Sequence, residues 1–407
     1  MFARRCFGFS SRNPCLLVCS RRFEQTIGGN PSCRRQQSPS GVESTENASP
    51  LSGDVLGKYA KLHWDDSITR DDPEVQRLKK ELLEGSRAAL ASAITLVESK
   101  NPTKRARGNH LLSEILAVER QKLAQQGTDA LIFRIGISGS PGVGKSTFIE
   151  ALGMELIEKH GKKVAVLTVD PTSQTTGGSI LGDLTRMNEL SRNPRAYIRQ
   201  SPTSGSLGGV TRGIHEAVIL CEGAGYDVVL IETVGVGQSE ISVAGMVDLF
   251  CLLVGPGHGD ELQGVKRGVM ELSDLLVVTK SDGELEPKAK ITQADYISAL
   301  KYLRPRKEHW KPKVLRASVF KPDTVAQVWD AMEEFRVIAT KNGALLAGRN
   351  EQLTMWMWNH VKDELMNVFQ HHPDVVKKAP FLEREVRRGL RTPGLAAEVL
   401  IRTFFGL

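Results

Sequence analysis

The run Gly139-Ser140-Pro141-Gly142-Val143-Gly144-Lys145-Ser146-Thr147 constrains the fold of this chain more than any other stretch. It lies between an apolar run, 131–138, and a segment over 147–160 with the make-up of a helix. A strand, a glycine loop, Gly-Lys-Ser and a helix, in that order, make a phosphate-binding loop. Gly139, Gly142 and Gly144 let the backbone turn its N–H groups inward around phosphate oxygens. The helix adds free N–H groups and the positive end of its dipole. In such a loop Lys145 reaches the β- and γ-phosphates and the Ser146 hydroxyl takes a place on Mg²⁺. The chain is therefore expected to bind a nucleoside triphosphate.

Around this loop the sequence alternates. Apolar runs at 131–138, 163–170, 227–233, 248–254, 274–279 and 313–317 are separated by helical stretches. Near-continuous Val/Leu/Ile runs of this kind predict a mostly parallel sheet covered on both faces by helices, an α/β P-loop NTPase fold. Ligands of such sheets bind beyond the carboxyl ends of the strands, where most of the motifs below fall. Before the first strand, Asp72-Pro73 reads as a helix N-cap and first turn. Val75, Leu78, Leu82, Leu90, Ile94 and Val97 then recur at helical spacing until Asn101-Pro102. A second helix is expected from Gly108 to Gln126, with Leu112, Ile115, Leu116 and Leu123 inward and Gly127 just past its end. Beyond Gly348, Leu353, Trp356, Met357, Val361, Leu365 and Val368 form one helical stripe, broken at His371-His372-Pro373. Further helical patterns run through Leu382, Val386 and Leu390 and from Ala396 to Phe405. The expected division is a leader over 1–50, an N-terminal helical segment over 51–128, the nucleotide domain over 129–347 and a C-terminal helical arm over 348–407. Such an arm either packs on its own domain or forms a contact between copies.

The formal charge of +7 points to nucleic acid only until it is located. Residues 1–40 carry seven arginines against the single acid Glu24, which leaves the other 367 residues near +1. That balance does not support a basic surface of the nucleic-acid-binding kind. The leader is rich in Arg and Ser and poor in acids, the composition of a mitochondrial transit peptide. No stretch approaches membrane-spanning length. Four of the six cysteines (6, 15, 19 and 33) lie in the leader. Cys221 and Cys251 lack metal-ligand spacing and read as reduced structural thiols.

Three acids follow the phosphate loop at or near strand ends: Asp170, Asp183 and Glu232. Mg²⁺ prefers oxygen ligands and keeps several waters, so one or two carboxylates beside Ser146 suffice. Glu232 and Asp170 are the first choices, with Asp183 approaching from its loop; Lys145 and Glu232 are the candidate catalytic residues. Gly235 is placed to meet the γ-phosphate with its backbone N–H. Val236 stands where Ras-type enzymes carry the glutamine that orients the attacking water, and Gln238 is two residues further on. Slow intrinsic hydrolysis, accelerated by a partner or an ordered loop, is expected.

Thr279-Lys280-Ser281-Asp282, at the end of the run 274–279, has the N/T-K-x-D form of a guanine-reading loop. A carboxylate at Asp282 accepts two hydrogen bonds from guanine that adenine cannot supply, and Lys280 lies along the base. Ser318-Val319-Phe320 is expected to close over the base through backbone N–H groups. The polar, glycine-hinged stretch 257–268 carries Asp260, Glu261, Gln263 and Lys266 and reads as a mobile functional loop. His258 alone makes no metal site.

Together these residues resemble the MeaB-type P-loop GTPases. The resemblance runs from about Lys80 to the C-terminus. Its motifs are the segment 86–99, the phosphate loop, Val169-Asp170-Pro171, the segment 177–187 and Glu232-Thr233-Val234-Gly235-Val236-Gly237-Gln238-Ser239-Glu240. It implies a GTPase chaperone of methylmalonyl-CoA mutase in the mitochondrial matrix. That chaperone gates adenosylcobalamin delivery, protects or rescues the mutase, and touches the cofactor only through it. The resemblance also implies a homodimer through the C-terminal arm and a switch role for the 257–268 loop. Thr279 replaces the asparagine usual in the guanine motif, which removes a side-chain amide that braces the loop, and Asp282 keeps the discriminating contact. Two other readings are a nickel-insertion GTPase, which requires Cys/His clusters near the sheet, and a transport-associated kinase, which requires an acceptor site with its own base. The sequence displays neither, and no Asp-x-His-x-x-Gly cobalamin pattern.

Overall fold

The structure, a computed structural model, describes residues 64–170, 187–202, 207–233, 238–257, 267–303 and 306–407. Seven parallel strands form one sheet in the order β3-β2-β4-β1-β5-β6-β7: β1 Phe133–Gly139, β2 Val164–Asp170, β3 Ala196–Pro202, β4 Val228–Thr233, β5 Leu249–Val254, β6 Leu275–Val278 and β7 Lys313–Arg316. Six of the seven coincide with the apolar runs. The exception is β3, an edge strand whose Ala196-Tyr-Ile-Arg-Gln-Ser-Pro mixes polar and apolar residues because only part of it faces the core. Glu232 accordingly lies on the fourth strand, one residue before its end.

Successive residues of each strand enter opposite cores, as the period of two requires. Ala165, Leu167, Val229, Ile231, Phe250 and Leu252 face one layer; Val164, Val166, Val228, Leu230, Leu249 and Cys251 face the other. The first layer contains α1 (Pro73–Leu83), α2 (Arg87–Val97), α3 (Pro102–Gln126), α6 (Leu207–Gly223), α7 (Gln238–Ala244), α8 (Arg267–Leu272) and α9 (Glu286–Leu300). The second contains α4 (Lys145–Glu158), α5 (Asn188–Arg192) and α10 (Pro322–Lys341). Three further helices end the chain: α11 (Ala344–His371), α12 (Pro373–Arg387) and α13 (Pro393–Phe404). Among the described residues no helix is long and apolar enough to cross a membrane.

The N-terminal periodicity is not one helix. It breaks at Glu84-Gly85-Ser86, where Gly85 takes φ +82° and Ser86 caps α2 by accepting from the Ala89 N–H. Asn101 likewise does more than end the run. Its side chain accepts from the Lys104 N–H, so α3 begins at Pro102, six residues before the expected start. Asp72 caps α1 through the Glu74 and Val75 N–H groups, as its position before Pro73 suggests. These helices share the core of α6. A Cβ on Gly223 of α6 would stand 2.5 Å from Ile115 and 2.9 Å from Leu82, so the absent side chain lets the layers meet.

Candidate nucleotide site

The phosphate loop joins β1 to α4, and the helix already begins at Lys145, so Lys145 and Ser146 belong to its first turn. Gly139 tolerates no side chain: a Cβ there would lie 2.4 Å from the Leu253 carbonyl oxygen of neighbouring β5. Gly144 enters the helix at φ +95°, a conformation that costs other residues steric strain. The Lys145 ammonium donates to the Gly139 and Ser140 carbonyls of its own loop at 2.9 and 3.3 Å. Phosphate oxygens would offer it stronger, charge-assisted bonds.

Register brings the first acid to this loop. Glu232 pairs with Ile137 across β4 and β1, and its Oε1 accepts from the Ser146 hydroxyl at 3.1 Å. Both residues are 8% exposed. A hydroxyl and a carboxylate converging beside a phosphate loop are the hard oxygen donors that suit Mg²⁺. Asp170 closes β2, two strands from β1. Its side chain, together with Asp183, Gly235, Asp260, Glu261, Gln263 and Lys266, lies outside the described residues.

On the other side of β1, two turns make the base loop. The Thr279 hydroxyl, buried at the end of β6, donates to the Val143 carbonyl of the phosphate loop at 2.8 Å. The loop is therefore braced without the asparagine amide. A hydroxyl one bond from Cβ spans the gap and carries the brace. Lys280 adopts φ +52°, the single non-glycine residue with positive φ among those described, and its ammonium donates to Gly142 at 2.8 Å. Strain of this kind persists only where its surroundings over-determine it. Here the Ser281 N–H bonds to Ala317 at 3.1 Å and holds the turn to the segment after β7. The Ser318 hydroxyl donates to Asp282 Oδ1 at 2.7 Å and also accepts from the Phe320 N–H at 3.2 Å. Ser318 thus aims the carboxylate, and Phe320 stands 81% exposed beside it, beyond half-buried Val319.

The structure therefore gathers Gly139 to Thr147 and Glu232 at one strand end, and Lys280, Asp282, Ser318, Val319 and Phe320 beside them. Sequence reasoning did not assign roles to Ser138 and Thr233, fully buried hydroxyls directly behind the loop. Nor did it give one to Glu240, although it quoted the motif that ends there. A polar side chain inside an otherwise apolar strand run was the available signal.

A phosphate loop on the central strand of a parallel, helix-covered sheet defines a P-loop NTPase. Residues 90–374 match the family model described as methylmalonyl-CoA mutase-associated GTPase MeaB, and the chain belongs to that family. It is 67% identical over 353 residues to a Caenorhabditis elegans protein named methylmalonic aciduria type A homolog, mitochondrial, covering 87% of this chain and 88% of that one. The mouse protein of the same name is 51% identical over 345 residues, covering 84% and 83%. Among solved structures, one of a LAO/AO transport system kinase superposes with a TM-score of 0.62 at 34% identity, covering 82% of this chain and 98% of that one.

Proposed function

We propose that this protein binds GTP with Mg²⁺, hydrolyses it slowly on its own, and uses the nucleotide state to time adenosylcobalamin loading and protection of methylmalonyl-CoA mutase. The observation that carries the guanine part is Asp282, held by Ser318 next to a loop braced to the phosphate-binding turn. A fixed carboxylate there accepts from guanine N1–H and its exocyclic amine, whereas adenine would leave it unpaired, a penalty of about 1–3 kcal/mol or more. Ser146 and Glu232, with Asp170 and Asp183, would hold Mg²⁺, which supplies charge neutralisation along the β- and γ-phosphates. Lys145 leaves its two loop carbonyls for phosphate oxygens and remains on the developing charge.

The mutase as partner is supported by the family's description and the relatives' names. Those names also support a mitochondrial address, here the matrix, reached through the Arg-rich leader. Val236, in place of a water-orienting glutamine, supports low intrinsic turnover with the missing element supplied in the complex. Asp260, Glu261, Gln263 and Lys266 are proposed to carry the nucleotide state to the mutase, and adenosylcobalamin is met only through it. The protein acts as a homodimer through α11, whose outer face is apolar and exposed at Met357, Trp358, Val361 and Leu365.

The test is GTP turnover by the full chain, alone and with purified methylmalonyl-CoA mutase. A slow rate that rises at least tenfold with the mutase is expected. An unchanged rate with no GTP-dependent complex would remove the mutase from the proposal.

A further inference from the structure

Three buried polar side chains sit directly behind the phosphate loop. Ser138 precedes Gly139, Thr233 follows Glu232, and Glu240 lies in the first turn of α7. The Thr233 hydroxyl donates to Ser138 Oγ at 2.8 Å, and the Ser138 hydroxyl donates towards Glu240 Oε1 at 3.4 Å. Ser138 and Thr233 are fully buried and Glu240 is 7% exposed.

Burying a carboxylate is costly before its partners are counted, and an apolar trio of similar volume would avoid that cost. Apolar side chains could not join these three segments by directed bonds. Ser138 ties together the strand that leads into the phosphate loop, the strand that presents Glu232, and helix α7. Both ends of the segment 233–240 are thereby referred to one oxygen atom, one residue from Gly139.

The helix is also seated tightly. A Cβ on Gly136 of β1 would come within 3.0 Å of Val243 and 3.1 Å of Val247 and Phe250, so α7 rests on the bare backbone of β1. Helix α7 also packs against α8. At 3.4 Å the Ser138–Glu240 contact is longer than the usual ~2.5–3.0 Å between a hydroxyl and an oxygen acceptor. Such contacts commonly tighten only when the substrate is bound.

We infer that Glu240 is a positioning residue for hydrolysis: through Ser138 and Thr233 it fixes where α7 begins relative to β4, and so sets Glu232 against the phosphate loop. The inference rests on the GTPase reading above. The hydrogen-bonded oxygen does this work, not the charge. Removing the acceptor should therefore lower turnover, while an amide oxygen in the same place should preserve most of it.

The test uses the full chain with Glu240→Met, Ser138→Ala and Thr233→Val, and the conservative variants Glu240→Gln and Thr233→Ser. Each of the first three is expected to lower kcat about tenfold, with KM for GTP and Kd for GDP within about threefold of wild type. The double variant Ser138→Ala/Glu240→Met should be no slower than either single one, since the residues act as a unit. Glu240→Gln and Thr233→Ser should recover most of the turnover, a pattern that general loosening of the core would not produce. Unchanged kcat in Ser138→Ala and Thr233→Val, or additive losses in the double variant, would overturn the inference. If Glu240→Met fails to fold, the near-isosteric Thr233→Val carries the test. A wild-type chain that binds GTP without turning it over would overturn the hydrolysis reading instead. The node is then read from the ratio of GTP to GDP affinity, which should narrow about tenfold in Thr233→Val and stays fixed if the inference is wrong.

Discussion

Arg349 of α11 grips Asp248, the residue before β5, through two parallel hydrogen bonds, Nε to Oδ1 at 3.0 Å and Nη2 to Oδ2 at 2.7 Å. The same guanidinium reaches Glu222 of α6 at 3.3 Å, and Arg134 of β1 donates to that Glu222 oxygen at 2.9 and 2.8 Å. This four-residue cluster is buried at the end of the sheet opposite the phosphate loop and ties α11 to β1, β5 and α6. Burial pushes the Asp248 carboxyl up, but Arg349, with Arg134, outweighs it and holds the group below its usual range.

Replacing Arg349 by methionine keeps the stem and leaves Asp248 buried without its forked partner. The expected loss is about 3–5 kcal/mol, read as a lower urea midpoint with an unchanged slope. Arg349→Lys should recover only part of it, because an ammonium cannot make the parallel pair. A loss below about 1 kcal/mol would show that water or a neighbouring side chain replaces the guanidinium.

A second buried group gives a dependence on pH. His215 of α6 stacks on Trp356 of α11, with ring centroids 3.9 Å apart and planes 12° apart. Neither ring nitrogen has a hydrogen-bond partner among the described residues. Burial, reinforced by His360 and Arg134, holds its pKa well below the ordinary value of 6.5. Below about pH 6.5 the unfolded chain takes up a proton that the folded one refuses, so stability falls as the solution is acidified and is level above that value. His215→Phe keeps the stacking and removes the titration. Urea titrations from pH 5 to 8 should show the difference between wild type and His215→Phe growing below pH 6.5, with a limiting slope of about 1.4 kcal/mol per unit. A constant difference across that range would mean that the ring is hydrated or paired.

The guanine loop supplies a sharper contrast. Because the Thr279 hydroxyl reaches the Val143 carbonyl, Thr279→Val should raise the Kd for GDP about tenfold by freeing that carbonyl and loosening the loop, a loss of about 1–2 kcal/mol. Thr279→Asn should bind GDP within about threefold of wild type, measured by fluorescent-nucleotide titration. Equal affinities for Thr279→Val and wild type would show that Lys280, through Gly142, ties the loop to the phosphate loop without the Thr279 hydroxyl.

How far these features could be read in advance depended on their range along the chain. The phosphate loop, the six strands on apolar runs and the Asp72 cap are local patterns, visible as glycine spacing, apolar runs and a polar residue before proline. Strand β3 escaped because half-buried Arg199 and Gln200 interrupt its apolar pattern. The breaks at Ser86 and Asn101 escaped because a cap residue can restart a helix within the same apolar period. The Thr279–Val143 brace and the Ser138–Glu240 contact join residues about a hundred or more positions apart, and no local pattern encodes such pairs. The stripe on α11 was legible as a stripe but not in its direction. Trp356 turns inward onto His215, while Leu353, Met357, Val361 and Leu365 face out.

That outward face leads to the last prediction. Met357, Val361 and Leu365 recur every four residues and Trp358 lies beside them, each at least 40% exposed. Their helix is tied to α3 by Arg105, which forks onto Glu364 beside this face at 3.0 and 3.2 Å. If two copies meet here, a carboxylate in the centre of the contact must be buried unpaired or the contact must open. Leu365→Glu and Trp358→Glu should each weaken self-association at least about a hundredfold, roughly 2.7 kcal/mol, read by light scattering across a dilution series. Both positions are already exposed in a single copy, so urea midpoints at low protein concentration should stay close to wild type. GTP turnover without the mutase should likewise persist, since the phosphate and base loops draw no residue from α11. Retention of the wild-type mass by both variants would move the dimer contact off this face.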